Sequence, residues 1–250
     1  VPDSEFSTTF SNQATCGDPI NTYTGTFSET LNDLSVSTSA GELSFQRSYS
    51  SGAADQYSTP LGSGWTHNHN ARLIFWPAPS SVEGAIVFQS PVGNQYRFNI
   101  QGDGTFSSPP GILASLTATT GGSPIYTVTT PTRAKFLFDS SGRLTSQTDA
   151  QGHAFTYQYD AQNRLLKISA DDGTRYLQIG YDAYNRIQTV ADNTSQDPDP
   201  SKHRQISYGY DAAGDLSTFM DVMGKTWTYA YDSGHHLTEI INPDGKVALK

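Results

Sequence analysis

Hydrophobic and polar side chains alternate along several short segments in the second half of the chain. Phe155–Tyr159 reads Phe-Thr-Tyr-Gln-Tyr, and Ile206–Tyr210 and Trp227–Tyr231 repeat the alternation. A period of two places the aromatic side chains on one face of an extended strand, whereas a helix needs a period near 3.6. The pattern therefore predicts β-strands with an aromatic face, and no convincing amphipathic helix interrupts them.

An aromatic residue followed by aspartate recurs along the same region. Successive aspartates are 21, 22, 29 and 21 residues apart, and the long interval contains a polar, proline-containing insertion at 193–200. A fixed period of this size is typical of a repeat architecture. The five units are Phe138-Asp139, Tyr159-Asp160, Tyr181-Asp182, Tyr210-Asp211 and Tyr231-Asp232.

Each repeat contains a second turn, so that turns arrive every ten or eleven residues. Aspartate opens such turns by accepting hydrogen bonds from nearby backbone N–H groups, and glycine or asparagine closes them because that position often needs a positive φ. Each repeat is therefore predicted to be a β-hairpin, and residues 131–250 to form about ten strands of one continuous antiparallel sheet. The second turns are Asp149–Gly152, Asp171–Gly173, Asp221–Gly224 and Pro243–Gly245.

The first half of the chain predicts less regular strands. One strand ends around Phe75-Trp76, and two more lie at Ala85–Phe88 and Gln95–Phe98, joined by a turn at Pro91–Asn94. Bulky and β-branched residues bounded by proline, glycine and asparagine are typical of strands between turns. The whole chain is therefore predicted to be all-β.

Composition places a domain boundary near residue 130. Only three of the fifteen basic residues lie before position 131, whereas ten of the thirteen prolines occur up to Pro131. The segment 121–124, Gly-Gly-Ser-Pro, breaks regular structure and is a plausible junction. We therefore predict an irregular β-rich domain at 1–130 and a hairpin array at 131–250.

Charge and cysteine content exclude several classes of protein. The formal net charge is −9 and the pI about 4.9, which disfavours nucleic acid as a partner because nucleic acid demands concentrated positive charge. No run of 18 apolar residues predicts a membrane span, and the N-terminal residues do not resemble a signal peptide. The single cysteine, Cys16, cannot form an internal disulfide and has no basic neighbour that would favour a thiolate.

The repeat units resemble the YD-repeat, or Rhs-repeat, family. The resemblance is carried by Tyr159–Leu165, Tyr181–Ile187 and Tyr210–Leu216, and by segments that resemble the domain preceding such repeats. It covers roughly Cys16 to Lys250. The preceding-domain segments are Gly17–Gly25, Leu43–Tyr49 and Leu61–Asn68.

The resemblance implies a scaffold rather than an enzyme. In the family the repeat sheet winds into a hollow shell, which in bacterial members encloses a C-terminal toxin until delivery, while related animal proteins carry the repeats in adhesion receptors. Family shells usually have more than five repeats, and the segment with paired aspartates that ends the shell has no counterpart here. We therefore expect the chain to be the N-terminal piece of a longer protein or an unusually short member, acting in an extracytoplasmic, secreted or cell-surface setting.

His67 and His69 are the strongest candidates for a functional site outside the repeats. On a strand their imidazoles would lie on the same face, as a pair of metal ligands requires, although no third ligand can be placed. The alternative is a structural strand with Trp65 packed inside, and we favour it. We predict no metal and no cofactor, with His67 and His69 as weak metal candidates.

No catalytic residues can be assigned from the sequence. Gly62-Ser63-Gly64 lacks the G-x-S-x-G spacing of a nucleophile elbow, and the abundant aspartates are accounted for by turns rather than by paired catalytic carboxylates. The tyrosine stripe is predicted to be packing. The arginines that follow the turns are predicted to pair with the turn aspartates; they are Arg143, Arg164 and Arg186.

The sequence favours two functions over a third. The first is a structural shell segment without catalysis, whose partner is the remainder of the same polypeptide or further repeats. The second is a surface adhesion or carbohydrate-binding module that would use Trp76, Tyr96 or exposed tyrosines to stack on a glycan. An unrecognised hydrolase is the third. An unpaired strand edge near Asn242–Lys250 also predicts self-association, because free edges attract other strands.

Overall fold

A computed structural model describes residues 26–39, 41–54, 58–76, 84–119, 125–170, 173–194 and 203–249. The predictions made for Cys16, for the segment 17–25 and for the junction at 121–124 lie outside these residues. No helix in the described ranges has the length and apolar character needed to cross a membrane.

The described residues are built from strands, with one short 3₁₀ helix at Ser51–Ala53. The first nine strands form a three-stranded sheet in the order β1-β2-β5, a β3-β4 pair and a four-stranded sheet in the order β6-β7-β8-β9. Their bounds are β1 Ser28–Thr38, β2 Gly41–Ser50, β3 Ser58–Thr59, β4 Gly62–Ser63, β5 Trp65–His67, β6 Arg72–Trp76, β7 Ala85–Gln89, β8 Gln95–Ile100 and β9 Phe106–Ser107.

The other thirteen strands form one antiparallel sheet in which they follow one another in sequence order. The all-β prediction is confirmed, as are the strands predicted at 85–88 and 95–98. The sheet begins at Ser115, earlier than the predicted array. The bounds are β10 Ser115–Ala118, β11 Tyr126–Thr129, β12 Lys135–Phe138, β13 Leu144–Thr148, β14 Ala154–Tyr159, β15 Leu165–Ala170, β16 Tyr176–Tyr181, β17 Ile187–Asp192, β18 Gln205–Tyr210, β19 Leu216–Met220, β20 Thr226–Tyr231, β21 Leu237–Ile241 and β22 Val247–Leu249.

The chain divides into two compact units. One contains the described residues of 69–158, and the other contains those of 26–68 and 159–249. Each unit combines residues from before and after position 130. The boundary predicted near 130 stays a prediction about where the repeat array begins.

The aromatic-Asp turns have the hydrogen bonds that the sequence predicts. In the turn of Asp182, the carboxylate Oδ1 accepts from the backbone N–H of Tyr184 at 2.8 Å and of Arg186 at 2.9 Å. Asn185 closes the turn at φ 63°, and the register of β16 and β17 shifts by one residue beside it. A left-handed residue followed by such a shift is the usual way to close a three-residue hairpin loop. The turns of Asp139 and Asp160 have the same bonds.

The arginines after the turns of Asp160 and Asp182 also link neighbouring repeats. Arg164 donates from Nε to Asp160 at 2.8 Å, and Arg186 donates to Asp182 at 2.7 Å, which confirms the predicted pairs. The guanidinium of Arg164 lies 4.6 Å from the ring centre of Tyr181 in the next repeat. The guanidinium of Arg186 lies 4.4 Å from the ring centre of Tyr210, so these two arginines each close their own turn and cover the tyrosine that opens the following one. Arg143 pairs with Asp139 in the same way.

The last two aromatic-Asp turns depart from this rule. Asp215 occupies the position after the turn where the earlier repeats have arginine, and its side chain is buried. It bonds to Nδ1 of His235 at 2.8 Å. His235 closes the fifth turn at φ 63°, a conformation that favours glycine or asparagine. A strained histidine thus replaces the usual turn closure and contacts the carboxylate of the preceding repeat.

The unit of residues 69–158 has an aromatic core. Phe88 of β7 packs against Phe136 and Phe138 of β12, with ring centres 5.6 and 5.9 Å apart. The backbone N–H of Leu73 donates to the carbonyl of Gly142 at 2.8 Å, so β6 joins the first aromatic-Asp turn directly. Tertiary pairing therefore fixes the turn against the small sheet.

In the unit of residues 26–68 and 159–249, the β1-β2-β5 sheet packs on the aromatic face of the repeats. Trp65 is fully buried, which confirms the predicted packing of this strand, and its Nε1–H donates to the hydroxyl of Tyr231 at 2.7 Å. The hydroxyl of Tyr49 accepts from the N–H of Leu237 at 2.8 Å. The predicted packing role of the tyrosine stripe is met at Tyr208 and Tyr229, which are both buried.

Candidate functional site

A buried arginine lies at the centre of the second unit. In β2, alternate residues face inward, and Leu43, Phe45 and Tyr49 are apolar or aromatic members of that inward series. Arg47 occupies the same series and is only 1% exposed. A charged side chain at such a position needs specific partners, because burying an unpaired charge is very costly.

Two of the three guanidinium nitrogens of Arg47 have partners. Nε donates to Oδ2 of Asp33 at 2.7 Å, and Nη2 donates to the hydroxyl of Tyr229 at 2.5 Å. The hydroxyl of Tyr208 donates to the same oxygen of Asp33 at 2.7 Å. The third nitrogen, Nη1, is buried and has no hydrogen-bond partner among the described residues.

A bulge in β1 brings Asp33 to the arginine. The register between β1 and β2 shifts between Asn32 and Leu34, so that Asp33 is the extra residue on its strand. Bulges of this kind redirect a side chain out of the regular alternation. The aspartate therefore enters an otherwise apolar face, where its side chain is 2% exposed.

Aromatic rings surround the guanidinium. Its central carbon lies 4.5 Å from the ring centre of Phe219 and 4.9 Å from those of Trp65 and Tyr229. The ring of Tyr208 is 5.8 Å away. Cations over aromatic faces at these distances are attracted by the ring quadrupole, most strongly where water is excluded. We call Asp33, Arg47 and these four rings the arginine cluster.

The buried setting shifts the acid–base properties of the cluster. Burial raises the pKa of Asp33, and Arg47 and the hydroxyl of Tyr208 offset part of this rise. Burial raises the pKa of Tyr208 well above its ordinary value, and the Asp33 carboxylate raises it further. Burial also raises the pKa of Tyr229, against the opposing effect of Arg47. Both tyrosines therefore stay protonated and act as hydrogen-bond donors or acceptors rather than as bases.

A cavity of about 480 Å³ adjoins the cluster. Its walls combine the polar groups of Arg47 and Asp33 with apolar and aromatic side chains, and it reaches the last strand of the sheet. The remaining lining residues are Glu29, Leu31, Asn32, Phe219, Asp221, Val222, Trp227, Tyr229, Ile240, Ala248 and Leu249. Most ligand sites have this character, an apolar wall with few polar groups.

The structure places the two predicted metal candidates in different surroundings. His67 ends β5, is buried, and stacks on Phe45 with ring centres 5.1 Å apart. His69 lies in the turn after the strand, and its Nδ1 is 3.1 Å from the hydroxyl of Tyr157. Strand geometry therefore does not extend to His69. Within the described ranges no three His, Cys, Asp or Glu residues form a group that could hold a metal ion.

The aromatic residues considered for glycan stacking differ in exposure. Trp76 is 57% exposed, with the guanidinium of Arg97 5.7 Å from its ring centre. Tyr96 is half-buried, and its ring stacks on Phe88. Trp76 is therefore the better placed of the two.

Sequence reasoning did not identify the arginine cluster. The signal was the presence of Arg47 in phase with Leu43, Phe45 and Tyr49, which places a cation on an apolar strand face. The partners of Arg47 lie up to 182 residues away along the chain, so no local pattern shows them.

Family models match both halves of the chain. The model described as a domain of unknown function (DUF6531) matches residues 17–98, and the model described as RHS Repeat matches residues 138–175 and 210–247. Both matches agree with the regions from which the resemblance was drawn.

The chain is similar to curated relatives and to solved structures. The probable deoxyribonucleases RhsA and RhsB of Dickeya dadantii (strain 3937) are 32% and 30% identical over 132 residues, which cover 45% of this chain and 9% of each relative. The chain therefore spans less than a tenth of the length of these relatives. The crystal structure of TcdB2-TccC3-Cdc42 is 16% identical, covering 86% of this chain and 13% of the matched chain, with a TM-score of 0.35.

Proposed function

Because this chain belongs to the Rhs/YD-repeat family, we propose that it is a segment of the β-sheet shell with which such proteins enclose a C-terminal toxin. The chain is a scaffold, and in this proposal the scaffold forms a wall around cargo. The proposal extends to an extracytoplasmic destination, either secreted or at the cell surface.

The regular use of the repeat residues carries the proposal. In each of the first three turns, the aspartate bonds two backbone N–H groups and the arginine after the turn, while the inward tyrosines fill the core. Side chains engaged in this way hold a sheet together and leave little for chemistry within the array. Repeats that each contact only their neighbours can be extended to build a large wall.

The free edge of β22 gives the wall a direction of growth. Among the described strands, Val247–Leu249 pairs only with β21. We propose that the next strand on this edge comes from the remainder of the same polypeptide, and that the isolated chain self-associates there instead. Light scattering over a concentration series should show a rising apparent mass, and a monomer at all concentrations would contradict this.

The shell function can be tested on the full polypeptide in which the chain occurs. A tag is added at the C-terminus of this polypeptide, and limited proteolysis is followed with an antibody to the tag. It should reveal a protected C-terminal fragment. Ile206→Asp places a charge in a fully buried position of β18 and should abolish the protection, whereas Gln205→Asp on the exposed face of the same strand should not. Equal digestion of the wild type and the Ile206→Asp variant would refute the proposal.

The relatives' names suggest where any catalysis would reside. RhsA and RhsB are named as probable deoxyribonucleases, and the shared 132 residues are a small part of them. We propose that this chain supplies the enclosure and that any toxic activity belongs to another part of the polypeptide. A nuclease assay of the isolated chain should therefore be negative.

A surface-adhesion function is the second candidate, favoured by the exposure of Trp76. Its indole ring could stack on a sugar, with Arg97 donating to hydroxyl groups nearby. A glycan array with the wild type and with Trp76→Ala tests this directly. Binding that the substitution removes would favour adhesion, and no binding by either protein would leave the shell as the function.

A further inference from the structure

The small sheet of β6, β7 and β8 has one face that its own core does not use. Phe88 of β7 packs against the aromatic core, and side chains alternate between the two faces of a strand. The residues in phase with Gln89 therefore lie on the opposite face, together with their direct partners in β6 and β8. We call this the outer face. Its polar and aromatic members are Arg72, Trp76, Gln89, Gln95, Arg97 and Asn99.

The strand register places an indole ring in one row with an amide on the outer face. Trp76 of β6 and Asn99 of β8 pair with the same residue, Ala85 of β7, so only a methyl group stands between them in this row. Trp76 is 57% exposed, and the guanidinium of Arg97 lies 5.7 Å from its ring centre. An exposed aromatic ring, an amide and a cation are therefore neighbours.

Positive charge is concentrated on the outer face. Arg72 and Arg97 are both exposed, whereas Arg47, the third basic residue before position 131, is buried. Strands β6, β7 and β8 contain no aspartate or glutamate. In a chain with a formal net charge of −9, a face of this kind favours an anionic ligand.

Arg97 has donors available for such a ligand. Its Nε donates to Oδ1 of Asn99 at 3.0 Å, and its two terminal nitrogens have no hydrogen-bond partner in the described part of the chain. Two parallel N–H groups of a guanidinium match the two oxygens of a carboxylate. Arg72 is less available, because its Nε and Nη2 both donate to Gln89. Arg97 is therefore the group that would select a carboxylate.

The neighbours of Arg97 define the rest of the ligand. The exposed indole of Trp76 offers a flat apolar surface to the apolar face of a ring. The amides of Gln95 and Asn99 both donate and accept hydrogen bonds, which suits hydroxyl groups. An acidic peptide lacks such a ring of hydroxyls, and nucleic acid demands more positive charge than two arginines supply. Together these groups fit a sugar ring that carries a carboxylate.

We propose that the outer face binds an acidic saccharide, in which a uronic acid ring stacks on Trp76 and its carboxylate accepts hydrogen bonds from the terminal nitrogens of Arg97. The inference rests on the surface-adhesion function and names the class of ligand for it. It is independent of the shell proposal, since the site needs only the unit that contains the described residues of 69–158.

Calorimetric titration of the 250-residue chain with two matched sugars tests the proposal. The first is a tetrasaccharide of β-linked glucuronic acid. The second is cellotetraose, which has the same rings with hydroxymethyl groups in place of the carboxylates. We expect saturable binding of the acidic sugar, and binding of cellotetraose that is weaker by about tenfold or more, because it offers no anion to Arg97. Sodium chloride at about 0.5 M should weaken binding of the acidic sugar and leave that of cellotetraose unchanged.

Three single variants locate the binding. Arg97→Gln should bind the two sugars equally, and Trp76→Ala should weaken both, since stacking does not depend on the carboxylate. Lys135→Gln is the matched control for the lost charge. Lys135 is exposed and adjoins Phe136, which packs against β7, so its side chain lies on the face of the large sheet turned away from β7. This variant should bind the acidic sugar as the wild type does. Thermal unfolding of each variant checks that it folds.

The outcomes separate the inference from the adhesion function. Equal affinity of the wild type for the two sugars overturns the inference and leaves adhesion standing, and this comparison needs no variant. Equal loss in Arg97→Gln and Lys135→Gln, or equal binding of a polyglutamate peptide, also overturns it, because attraction by net charge alone would then explain the binding. Binding of neither sugar overturns it as well, and the adhesion function falls with it only where the glycan array is also empty.

Proteolysis of the full polypeptide tests the shell separately, and neither outcome depends on the other.

Discussion

Replacing Gly142 by alanine should separate the cost of a backbone conformation from the cost of a steric clash. Gly142 closes the first aromatic-Asp turn at φ 80°, and its carbonyl accepts the N–H of Leu73 at 2.8 Å. A Cβ at this position would lie 3.0 Å from the carbonyl carbon of Leu73 and closer still to the carbonyl oxygen. A backbone carbonyl that belongs to a sheet cannot rotate away as a flexible side chain can.

The magnitude follows from a matched glycine. Gly224 closes a turn at φ 77°, and a Cβ added there would have nothing within 4 Å. Alanine there meets only the left-handed strain, about 1–2 kcal/mol. At Gly142 the same strain applies. Moving the turn away from β6 to relieve the clash also removes the hydrogen bond from Leu73, which adds about 1–3 kcal/mol where the N–H is left unsatisfied. We therefore expect a loss of about 2–5 kcal/mol for Gly142→Ala.

Urea unfolding followed by circular dichroism measures both variants, and hydrogen exchange of the Leu73 amide gives a local readout. Gly142→Ala should lower the free energy of unfolding by about 2 kcal/mol more than Gly224→Ala, and it alone should expose the Leu73 amide to exchange. Equal losses for the two variants, with the Leu73 amide protected in both, would refute the reasoning from the contact with β6.

Three further predictions concern charge. Arg47→Met should cost about 3–5 kcal/mol because it leaves Asp33 buried without its partner, while the double variant with Asp33→Asn should be more stable than Arg47→Met alone. Burial raises the folded-state pKa of Asp33, and removing Arg47, which lowers it, raises it further; protonation of Asp33 therefore favours folding of Arg47→Met, and the loss should shrink as the pH falls, whereas a pH-independent loss would contradict this. Asp182→Asn should cost only about 0.5–1 kcal/mol by chemical denaturation, since Asn242 opens the last turn with the same backbone bonds, and a loss above about 2 kcal/mol would be too large for this explanation. Backbone bonds from Arg164 lower the pKa of Asp160 from 3.8, so acid titration of the wild type should show stability that is present above pH 3.8 and is lost as the pH falls through the folded-state value.

Local chemistry made the repeat region predictable. Aspartate at the start and glycine or asparagine at the end of each turn have direct conformational causes, and the period of two fixes which tyrosines face inward. These signals predicted both the turns and the alternation of buried Tyr157, Tyr208 and Tyr229. The fifth turn ends in His235 at a positive φ, which the glycine-or-asparagine pattern of the other aromatic-Asp turns did not predict.

Contacts between distant segments were beyond the same reasoning. No local sequence motif marks Arg47. Its partners Asp33, Tyr208 and Tyr229 become neighbours only when the β1-β2-β5 sheet packs on the repeats. The bulge that brings Asp33 inward also breaks the alternation from which its position would be read. The expectation that His69 shares a strand face with His67 failed for a related reason, because a turn replaces the strand after His67.

The contact between Asp215 and His235 limits how this gene can change by recombination. The first three repeats carry the same Asp-to-Arg closure, so one of them could be duplicated or lost while each remaining turn keeps its own partner. The fifth turn has its own pair, Asp232 with His236, whereas the buried carboxylate of Asp215 in the fourth repeat depends on the imidazole of His235, 20 residues later. A crossover between them would leave that buried carboxylate without its imidazole partner. These two repeats are therefore expected to be inherited as one block.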